Sequence, residues 1–553
     1  MRAWLTIAVA VLLGAAPPPE RATGGMVAAD HRLASAAGAS ILSKGGNAVD
    51  AAVAAALAAG VVQPAGSGLG GGGFAVLVHP SGEGSVLDFR EVAPAAATVD
   101  MFTTAEDQGA SRIGGLAVGV PGEPLGLAEL HARWGSLPLH TVVKPSIDLA
   151  RGGFEVGSHL ARALERSGPA ATVLSRDLFG ILDVPVQGQH VVRARLATTL
   201  EAFAATEGRA LTTGPIASDI AGAVQQAGGI LTVADLEAYS PKQRSPIVGR
   251  YRGWTVVTMP PPSSGGAVLL AVLGALESSD LTALGANSAA YFHRLIEAMK
   301  HSYADRARLM GDPDRVHVPI DQMLSPDRIR DVQRDFDPNR TRDPSHYGLP
   351  IDPGTDAGTQ HISVVDASGM AVALTTTINT SFASRVVAPV SGILLNNEMD
   401  DFVARPGEPN AYGLVGSEAN AVAPGARPLS SMSPTVLISP DGQERIVIGA
   451  SGGPFIISST LQVIVNMIDF DMDPSDAVSV PRIHHQWTPN ILFVDAHTSP
   501  DTVVALEALG HEVRELDFFS SVQAIRMNQR ETLGASDPRK GGWPVGVSPP
   551  QGQ

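Results

Sequence analysis

Apolar runs near the start of the chain predict two consecutive helices. Asp30 to Leu42 has helical spacing of its apolar residues, and Gly45-Gly46 ends that helix. Asn47 is a suitable N-cap for a second helix, Ala48 to Gly60, which is almost wholly Ala, Val and Leu. A helix that is apolar on nearly every side is buried, so this segment is predicted to lie inside the protein.

Farther along, the pattern predicts a mixture of strands and helices. Phe74 to Val78 and Val86 to Phe89 are short apolar runs typical of a hairpin. Pro124 to Asp335 is largely helical in its periodicity, whereas the segment from Thr359 onward is richer in strand-like runs. No internal repeat is visible, so the pattern favours an ordinary globular α+β protein.

Two stretches lack periodicity and predict irregular structure. Arg340 to Gly358 is polar and rich in turn residues, which is typical of a mobile segment. Lys540 to Gln553 has the Gly and Pro content of a disordered tail.

The junction between Gly358 and Thr359 has the features of a self-cleaving N-terminal nucleophile. Thr359 stands just before the strand-like run His361 to Val365, and Gly358 has no side chain to hinder attack of the threonine oxygen on the preceding carbonyl. Cleavage would leave a free α-amine, whose pKa of about 7.7–8.0 suits a general base. The alternative is that Gly-Thr is ordinary turn chemistry at a strand start.

The next turn predicts which residue faces Thr359. Ala367-Ser368-Gly369 suits a three-residue hairpin loop with Gly369 left-handed, between His361–Asp366 and Met370–Ile378. That register places Thr377 opposite Thr359, where its hydroxyl could bond the nucleophile oxygen. The threonines around Thr377 can also reflect strand propensity alone, and one residue of slip would undo the pairing.

Composition excludes several classes of protein. The 553 residues are 44% hydrophobic and 17% charged, so the chain can bury a large core. The formal net charge of −16 argues against nucleic-acid binding, which normally requires a basic surface. The chain contains no cysteine, so disulfides, thiolate metal sites and cysteine nucleophiles are excluded.

Residues 1–16 predict an export signal. Arg2 is followed by the apolar run Ala3 to Leu13 and by the small residues Gly14-Ala15-Ala16. No later segment has about 18 consecutive apolar residues, so the mature protein is expected to be soluble, in the periplasm or secreted.

Several longer blocks occur in a fixed order along the chain. They are Gly45–Ala52, Gly66–Phe74, Asp88–Pro94, Thr359–Asp366, Ser391–Phe402, Pro428–Pro434, Gly452-Gly453, Arg482–Trp487 and Ala535–Arg539. From Gly25 to about Arg539 the chain resembles the γ-glutamyltranspeptidase (glutathione hydrolase) family of N-terminal nucleophile hydrolases. Ala383, where many members have glycine, and Glu398, where some have glutamine, are small departures.

The resemblance implies a fold, a maturation step and an activity. It implies an α+β fold, the αββα four-layer sandwich, cut into a large subunit (25–358) and a small subunit (359–553). It implies transfer of a γ-glutamyl group from glutathione or a related amide to water, an amino acid or a dipeptide. It implies no metal and no organic cofactor.

The resemblance also assigns roles to individual residues. Thr359 is the nucleophile and Thr377 supports it. A guanidinium can bind a carboxylate through two parallel hydrogen bonds, which suits a γ-glutamyl α-carboxylate. By the same resemblance, Arg90, Ser430 and Ser431 bind the α-carboxylate, and Asn379, Glu398 and Asp401 bind the α-ammonium. The amides of Gly452 and Gly453 stabilise the oxyanion. Tyr412 is the gate of a lid loop.

Two other enzyme classes have some support in the sequence. Gly449 to Gly453 fits G-x-S-x-G, which would make Ser451 the nucleophile of an α/β-hydrolase, with His484, His485, His497 or His511 as the base. The regular strand–helix alternation of that fold is missing. A cephalosporin or glutaryl acylase of the same superfamily is the other alternative, and the set Asn379, Glu398 and Asp401 argues instead for a substrate with an amino group.

Two motifs suggest cofactors but have the wrong context. Gly66-x-Gly68-x-x-Gly71 matches a dinucleotide fingerprint, with Asp88 or Glu91 as its acidic residue, yet here a helix precedes the glycines and a strand follows. His484 and His485 are adjacent on a predicted strand and point to opposite faces, so they are expected to pack rather than to share a metal ion.

Overall fold

The structure is a computed structural model that describes residues 16–105, 107, 109–347, 358–403, 417–516 and 520–548. The first 15 residues of the predicted export signal lie outside the described residues. The same holds for residues 348–357 before the predicted cleavage point and for Tyr412 of the predicted lid.

Helices form much of the first two thirds of the described chain. They are α1 (Arg32–Ser43), α2 (Ala48–Val62), α3 (Glu123–Trp134), α4 (Leu139–Gly152), α5 (Ser158–Arg166), α6 (Ala170–Phe179), α7 (Ala194–Thr206), α8 (Gly214–Gln226), α9 (Val233–Ala238), α10 (Gly265–Leu276), α11 (Leu281–Leu284), α12 (Ala289–Leu309), α13 (Ile320–Met323), α14 (Pro326–Asp335), α15 (Phe455–Ile468), α16 (Pro474–Ser479) and α17 (Pro500–Ala508).

Strands occur near the start and mainly after Gly358. They are β1 (Glu20–Ala22), β2 (Met26–Ala29), β3 (Gly72–Val78), β4 (Gly84–Phe89), β5 (Phe154–Glu155), β6 (His190–Val191), β7 (Lys242–Arg244), β8 (Ile247–Tyr251), β9 (Trp254–Thr258), β10 (Gly358–Val365), β11 (Ala371–Asn379), β12 (Thr435–Ile438), β13 (Arg445–Ser451), β14 (Ile483–His484), β15 (Leu492–Asp495), β16 (Val513–Leu516), β17 (Ser521–Met527), β18 (Thr532–Ser536) and β19 (Val545–Gly546).

Two antiparallel sheets stack face to face at the centre. The first sheet has the order β19-β2-β10-β11-β3-β4-β7, and the second has the order β1-β18-β17-β13-β12-β9-β8. Helices α1 to α3 pack on the outer face of the first sheet with α4 against α2, and α10 and α15 pack on the outer face of the second with α12 against α10. This arrangement confirms the predicted αββα sandwich.

Alternation along the strands explains the layering. In β3 and β11, Leu77 and Leu374 pack with the helices, whereas Val76 and Ala373 point to the second sheet. Successive strand residues face opposite sides, so a strand that is apolar at every position belongs between two apolar layers.

Helix α2 is the buried helix that its composition predicts. All of its residues are buried, and Asn47 caps it in a capping box with Asp50. Asp50 also accepts a 2.6 Å hydrogen bond from the Ser136 hydroxyl, so its carboxylate is satisfied inside the protein.

The predicted disordered tail is wrong up to Ser548, where the described residues end. Lys540 is only 5% exposed, and β19 pairs with β2 in the first sheet. The Gly and Pro content reflects turns around this edge strand, which composition alone cannot distinguish from disorder.

The segment that begins at Arg340 is likewise more ordered than its composition predicts. Residues Pro344–His346 form a 3₁₀ turn, and the Trp487 indole donates to the Pro344 carbonyl at 2.9 Å. Tyr347 is buried and its hydroxyl donates to Glu297. The prediction of a mobile segment is therefore wrong for these residues.

None of the helices in the described part of the chain is long and apolar enough to cross a membrane.

Replacing Glu123 with glutamine is expected to stabilise the protein at alkaline pH. Burial raises the pKa of Glu123 to about 8, from an ordinary value of 4.5. The folded protein therefore keeps a proton that the unfolded chain releases, so stability falls as pH rises from about 4.5 to 8. Glutamine removes this dependence, and the stability gain over wild type should grow by about 2–4 kcal/mol between pH 5 and pH 8.

Thermal unfolding midpoints measured from pH 5 to pH 8 test this expectation. Glu129→Gln is the matched control, because Glu129 lies on the same helix with a partly exposed side chain paired to Arg133. If the unfolding midpoint of Glu123→Gln followed the same pH curve as the wild type, Glu123 would not be the source of the pH dependence.

Candidate active site

The β10–β11 hairpin brings Thr359 and Thr377 together. They are directly opposed in the ladder, and their hydroxyl oxygens are 3.0 Å apart. Gly369 in the loop has φ +82°, as the predicted left-handed position requires. The predicted register is confirmed.

The ladder shifts register between Gly358 and Thr359, and this irregularity shapes the site. The Thr377 hydroxyl donates to the Gly358 carbonyl at 2.8 Å and accepts from the Asn379 amide at 2.8 Å. Its only proton is therefore directed at Gly358, which leaves the Thr359 hydroxyl as the donor between the two threonines. The carbonyl that Thr359 would attack is thus already polarised by a hydrogen bond.

Gly358 is required by its surroundings. A Cβ at this position would lie 2.4 Å from the Thr380 carbonyl oxygen and 2.9 Å from that of Ala65. A side chain at residue 358 would clash with both carbonyl oxygens, so this backbone position at the junction requires glycine.

The nearest histidine on β10 is not placed as a base for Thr359. His361 contacts the hydroxyls of Thr375, at 2.8 Å, and Ser363, at 3.1 Å. Burial lowers the pKa of His361 to about 3, so it is neutral and bonded within the strand layer. The α-amine of Thr359 after cleavage is the better candidate for the general base.

Arg90 lies at the centre of a buried acidic cluster. Its guanidinium contacts Glu398 and lies 2.6 Å from Asp401, and its Nε donates to the Pro428 carbonyl at 3.2 Å. Arg90 is 1% exposed and its neighbour Glu91 is fully buried. Arg90 and Glu91, which are adjacent in the sequence, are therefore not a surface ion pair.

The cluster contains more acid than base. Burial raises the pKa of Glu91 to about 7, and it also raises the pKa values of Glu398 and Asp401, against the opposing effect of Arg90. Three carboxyl groups surround one guanidinium, so an added ammonium group would improve the charge balance of the pocket. An amino-acid zwitterion supplies that ammonium together with a carboxylate for Arg90.

Asn379 connects the hairpin to the acidic cluster. Its side-chain amide donates to the Asn397 carbonyl at 3.0 Å, one residue before Glu398. Asn379 has φ +78°, a left-handed conformation that asparagine tolerates better than most residues. The structure therefore brings Thr359, Thr377, Asn379, Glu398 and Arg90 into one connected region.

Ser430 and Ser431 directly follow Pro428 and Leu429, whose carbonyls both accept hydrogen bonds from Arg90. Both serines are buried, and the Ser430 carbonyl accepts a 2.7 Å hydrogen bond from the Ser264 hydroxyl. These contacts place the serine pair beside the guanidinium without a direct bond between them.

Gly452 and Gly453 follow β13 at the turn into α15. Their φ angles are +131° and +57°, in the region that favours glycine. A Cβ on Gly452 would lie 2.8 Å from the Ser520 Cβ, so a larger residue does not fit. The turn can expose backbone amides to an oxyanion, as the resemblance implies.

The α/β-hydrolase alternative is wrong. Ser451 ends β13 in a sheet whose strand pairs are antiparallel, whereas that fold needs a parallel sheet. The Ser451 hydroxyl accepts a 2.9 Å hydrogen bond from Lys540. His484 bonds Ser458 at 2.8 Å and Gln486 at 3.0 Å, in agreement with its predicted packing role.

The glycine run also does not form a dinucleotide site. Gly70 and Gly71 lie between α2 and β3, so the order is helix then strand. A Cβ on Gly70 would lie 2.0 Å from the Leu394 carbonyl oxygen, and one on Gly71 would lie 1.9 Å from that of Thr377. These glycines allow close packing of the backbone behind the nucleophile hairpin.

Sequence reasoning missed Lys540, which contacts the carbonyl of Thr359. The composition places Lys540 in the predicted disordered tail, because glycine and proline follow it. The available signal was its position directly after Ala535–Arg539, one of the family-like blocks.

Comparison with known proteins gives one consistent group. The family model described as Gamma-glutamyltranspeptidase matches residues 34–547. The glutathione hydrolase proenzyme of Escherichia coli strain K12 is 44% identical over 535 residues, which cover 94% of this chain and 91% of that protein. Glutathione hydrolase 2 of Arabidopsis thaliana is 37% identical, covering 94% of this chain and 93% of that protein.

Two solved structures support the fold. A cephalosporin acylase from Bacillus halodurans superposes with a TM-score of 0.86 at 27% identity, covering 100% of both chains. The γ-glutamyltranspeptidase of Helicobacter pylori superposes with a TM-score of 0.54 at 37% identity, covering 58% of this chain and 93% of that chain.

Proposed function

The chain belongs to the γ-glutamyltranspeptidase family, and we propose that it matures by cutting itself between Gly358 and Thr359. The protein is a γ-glutamyltransferase and glutathione hydrolase. One observation carries the maturation proposal: the Thr359 hydroxyl contacts Thr377, whose own proton is directed at the Gly358 carbonyl. Attack of Thr359 Oγ on that carbonyl forms an ester as the Gly358–Thr359 C–N bond breaks, and the hydroxyl proton passes to the nitrogen, which becomes the free α-amine. Water then hydrolyses the ester to the Gly358 carboxylate and the Thr359 hydroxyl.

In the mature enzyme, Thr359 Oγ attacks the γ-carbonyl of the substrate. The α-amine of Thr359 takes the hydroxyl proton and returns it to the leaving amine as the amide bond breaks. The amides of Gly452 and Gly453 stabilise the tetrahedral oxyanion. The resulting γ-glutamyl ester is then cleaved by water or by the amine of an acceptor, which restores the free threonine hydroxyl.

The substrate's glutamyl head binds in the acidic cluster. Arg90, Ser430 and Ser431 hold its α-carboxylate, while Asn379, Glu398 and Asp401 receive its α-ammonium. Arg90 is paired with both Glu398 and Asp401. The zwitterion gives the guanidinium a carboxylate partner and gives the two carboxyl groups an ammonium partner. The pocket therefore selects against acyl groups that lack the amine.

Intact-mass measurement tests the maturation proposal. We expect two fragments that separate at the Gly358–Thr359 bond, one of them beginning with Thr359 and both present in the active protein. An uncut chain with full γ-glutamyl transfer activity would refute it.

Cephalosporin or glutaryl acylase activity is the second candidate, since the Bacillus halodurans acylase superposes over the whole chain. A glutaryl group lacks the ammonium for which Glu398 and Asp401 provide charge. We expect γ-glutamyl-p-nitroanilide to react at least about 100-fold faster than glutaryl-p-nitroanilide, because a buried charge pair is lost with the second. Equal rates would favour the acylase.

Export and lid closure complete the proposal. Residues 1–16 direct the chain to the periplasm or the exterior and are then removed, and Tyr412 gates the pocket while the acyl-enzyme is present. No metal or organic cofactor takes part. The mature protein then consists of a large subunit, which contains residues 25–358, and a small subunit, residues 359–553.

Replacing Thr377 with alanine is expected to slow both maturation and turnover. The change removes the hydrogen bond to the Gly358 carbonyl and the partner of the Thr359 hydroxyl. Loss of one such donor lowers rates by about 10²–10³-fold. Time courses of fragment formation and kcat for γ-glutamyl-p-nitroanilide measure the two effects.

Thr377→Ser keeps the hydroxyl and should retain most of the rate. Thr258→Ala is the matched control, because Thr258 forms a buried threonine pair with Thr435 at 2.8 Å in the second sheet. Equal losses in Thr377→Ala and Thr258→Ala would show that the hydroxyl pair matters only for folding.

A further inference from the structure

Lys540 is a buried cation in direct contact with the nucleophile residue. Its side chain is 3% exposed, and Nζ donates to the Thr359 carbonyl, to Asp30 Oδ2 at 3.1 Å and to Ser451 Oγ at 2.9 Å. An ammonium has three hydrogens, and here each has its own acceptor. This site is built for a charged lysine.

Asp30 compensates the buried charge and connects it to both sheets. Its Oδ2 also accepts from the His361 amide at 3.1 Å, and its Oδ1 accepts from Ser521 at 2.9 Å and Gln523 at 2.6 Å. Each carboxylate oxygen is therefore saturated with donors. The ion pair with Lys540 is thus held in one geometry beside Thr359.

We propose that Lys540 is a positioning residue that keeps the α-amine of the matured Thr359 neutral and therefore competent as a base. The inference rests on the function proposed above. Lys540 donates to the carbonyl of Thr359, the residue that carries the amine. The positive charge of the lysine therefore lies beside the residue whose nitrogen acts as the base. A like charge at that range disfavours protonation of the amine.

Lys540 also contacts both the nucleophile residue and the strand end that leads into the Gly452-Gly453 turn. Its contact with Ser451 is made one residue before Gly452, and its contact with Thr359 is made on the nucleophile itself. One cation therefore fixes the distance between the nucleophile and the turn that carries the oxyanion donors.

Several titratable groups of the described residues lie around this position, and the Arg90 cluster is connected to the same hairpin through Asn379. Asp30 lies at the β2–α1 junction. His361 lies on β10, and burial keeps it neutral by lowering its pKa to about 3. From α5 comes His159, whose pKa is lowered by burial and by Lys540 itself. Arg539, the preceding residue, is paired with Asp495 at 2.6 Å. The lysine–aspartate pair is the one that contacts the Thr359 carbonyl directly.

The pH dependence of kcat/KM for γ-glutamyl-p-nitroanilide tests the inference, because its acidic limb reports the base of the free enzyme. Lys540→Met is expected to raise the apparent pKa of that limb by about one unit, and Asp30→Asn to lower it by a similar amount. Lys540→Arg keeps the charge and is the control, with a limb close to that of wild type. A purely structural role would reduce activity without moving the limb in opposite directions.

Two results would overturn the inference. One is an unmoved limb in matured Lys540→Met, and the other is an unmoved or raised limb in Asp30→Asn. If Lys540→Met gives only uncut chain, Asp30→Asn decides, because it retains the lysine. Failure of the wild-type protein to cut itself or to turn over the substrate would instead contradict the proposed function.

Discussion

Thr359→Ala is expected to remain a single uncut chain and to lose γ-glutamyl transfer by about 10⁴-fold or more. Alanine removes the oxygen that we propose attacks the Gly358 carbonyl, so on this mechanism the α-amine is not released. Nucleophile and base are therefore lost by a single substitution. Intact mass and initial rates with γ-glutamyl-p-nitroanilide measure the two losses separately.

Two further variants make this result interpretable. Thr359→Ser keeps an attacking hydroxyl and should still be cut, at a lower rate. Thr258→Ala removes a hydroxyl that is equally buried on a strand of the second sheet, and it should mature normally. A cut or active Thr359→Ala protein would end the assignment of Thr359 as the nucleophile.

Arg90→Lys is expected to lower kcat/KM by about 100-fold or more, mainly through a higher KM. Lysine keeps the positive charge but cannot contact Glu398, Asp401 and a substrate carboxylate in the planar arrangement of a guanidinium. Loss of one charge-assisted hydrogen bond accounts for about 1.5–3 kcal/mol, and more than one is lost here. Steady-state kinetics over a range of γ-glutamyl-p-nitroanilide concentrations measure the change.

Self-cleavage should survive in Arg90→Lys, because the attacked carbonyl belongs to the chain itself. Arg112→Lys is the matched control, since the Arg112 guanidinium lies 3.6 Å from Asp400 with half of its side chain exposed. Equal kinetics in Arg90→Lys and wild type would remove Arg90 from the substrate site.

The β10–β11 hairpin that carries Thr359 could be predicted from the sequence, because residues close together in the chain determine its register. A three-residue loop with Gly369 sets the register of both strands, and the two-residue period of a strand then places Thr377 opposite Thr359. The buried helix α2 was equally predictable, since composition and an N-cap suffice.

The acidic cluster could not be built from local patterns. Arg90 contacts Glu398 and Asp401 across more than 300 residues, and only the tertiary fold determines which of many carboxylates it meets. Its neighbour in sequence, Glu91, is 3.8 Å away and is a weaker partner. Family resemblance supplied the candidates, and the structure supplied their contacts.

Lys540 shows why composition misleads at chain ends. The glycines and prolines around it are typical of disorder, yet here they form turns that carry one lysine into the core. The contacts that hold this lysine in place include an ion pair with Asp30, 510 residues away. No window of sequence contains both partners.

The strand order of the first sheet has a consequence for how the two proposed subunits stay together. Strands β10 and β11, from beyond the scission point, are inserted between β2 and β3, from before it. The two subunits therefore share one sheet, and they cannot separate without breaking the hydrogen bonds between neighbouring strands. We expect the nicked protein to survive dilution intact, and to become sensitive to concentration only when it must reassemble from denaturant.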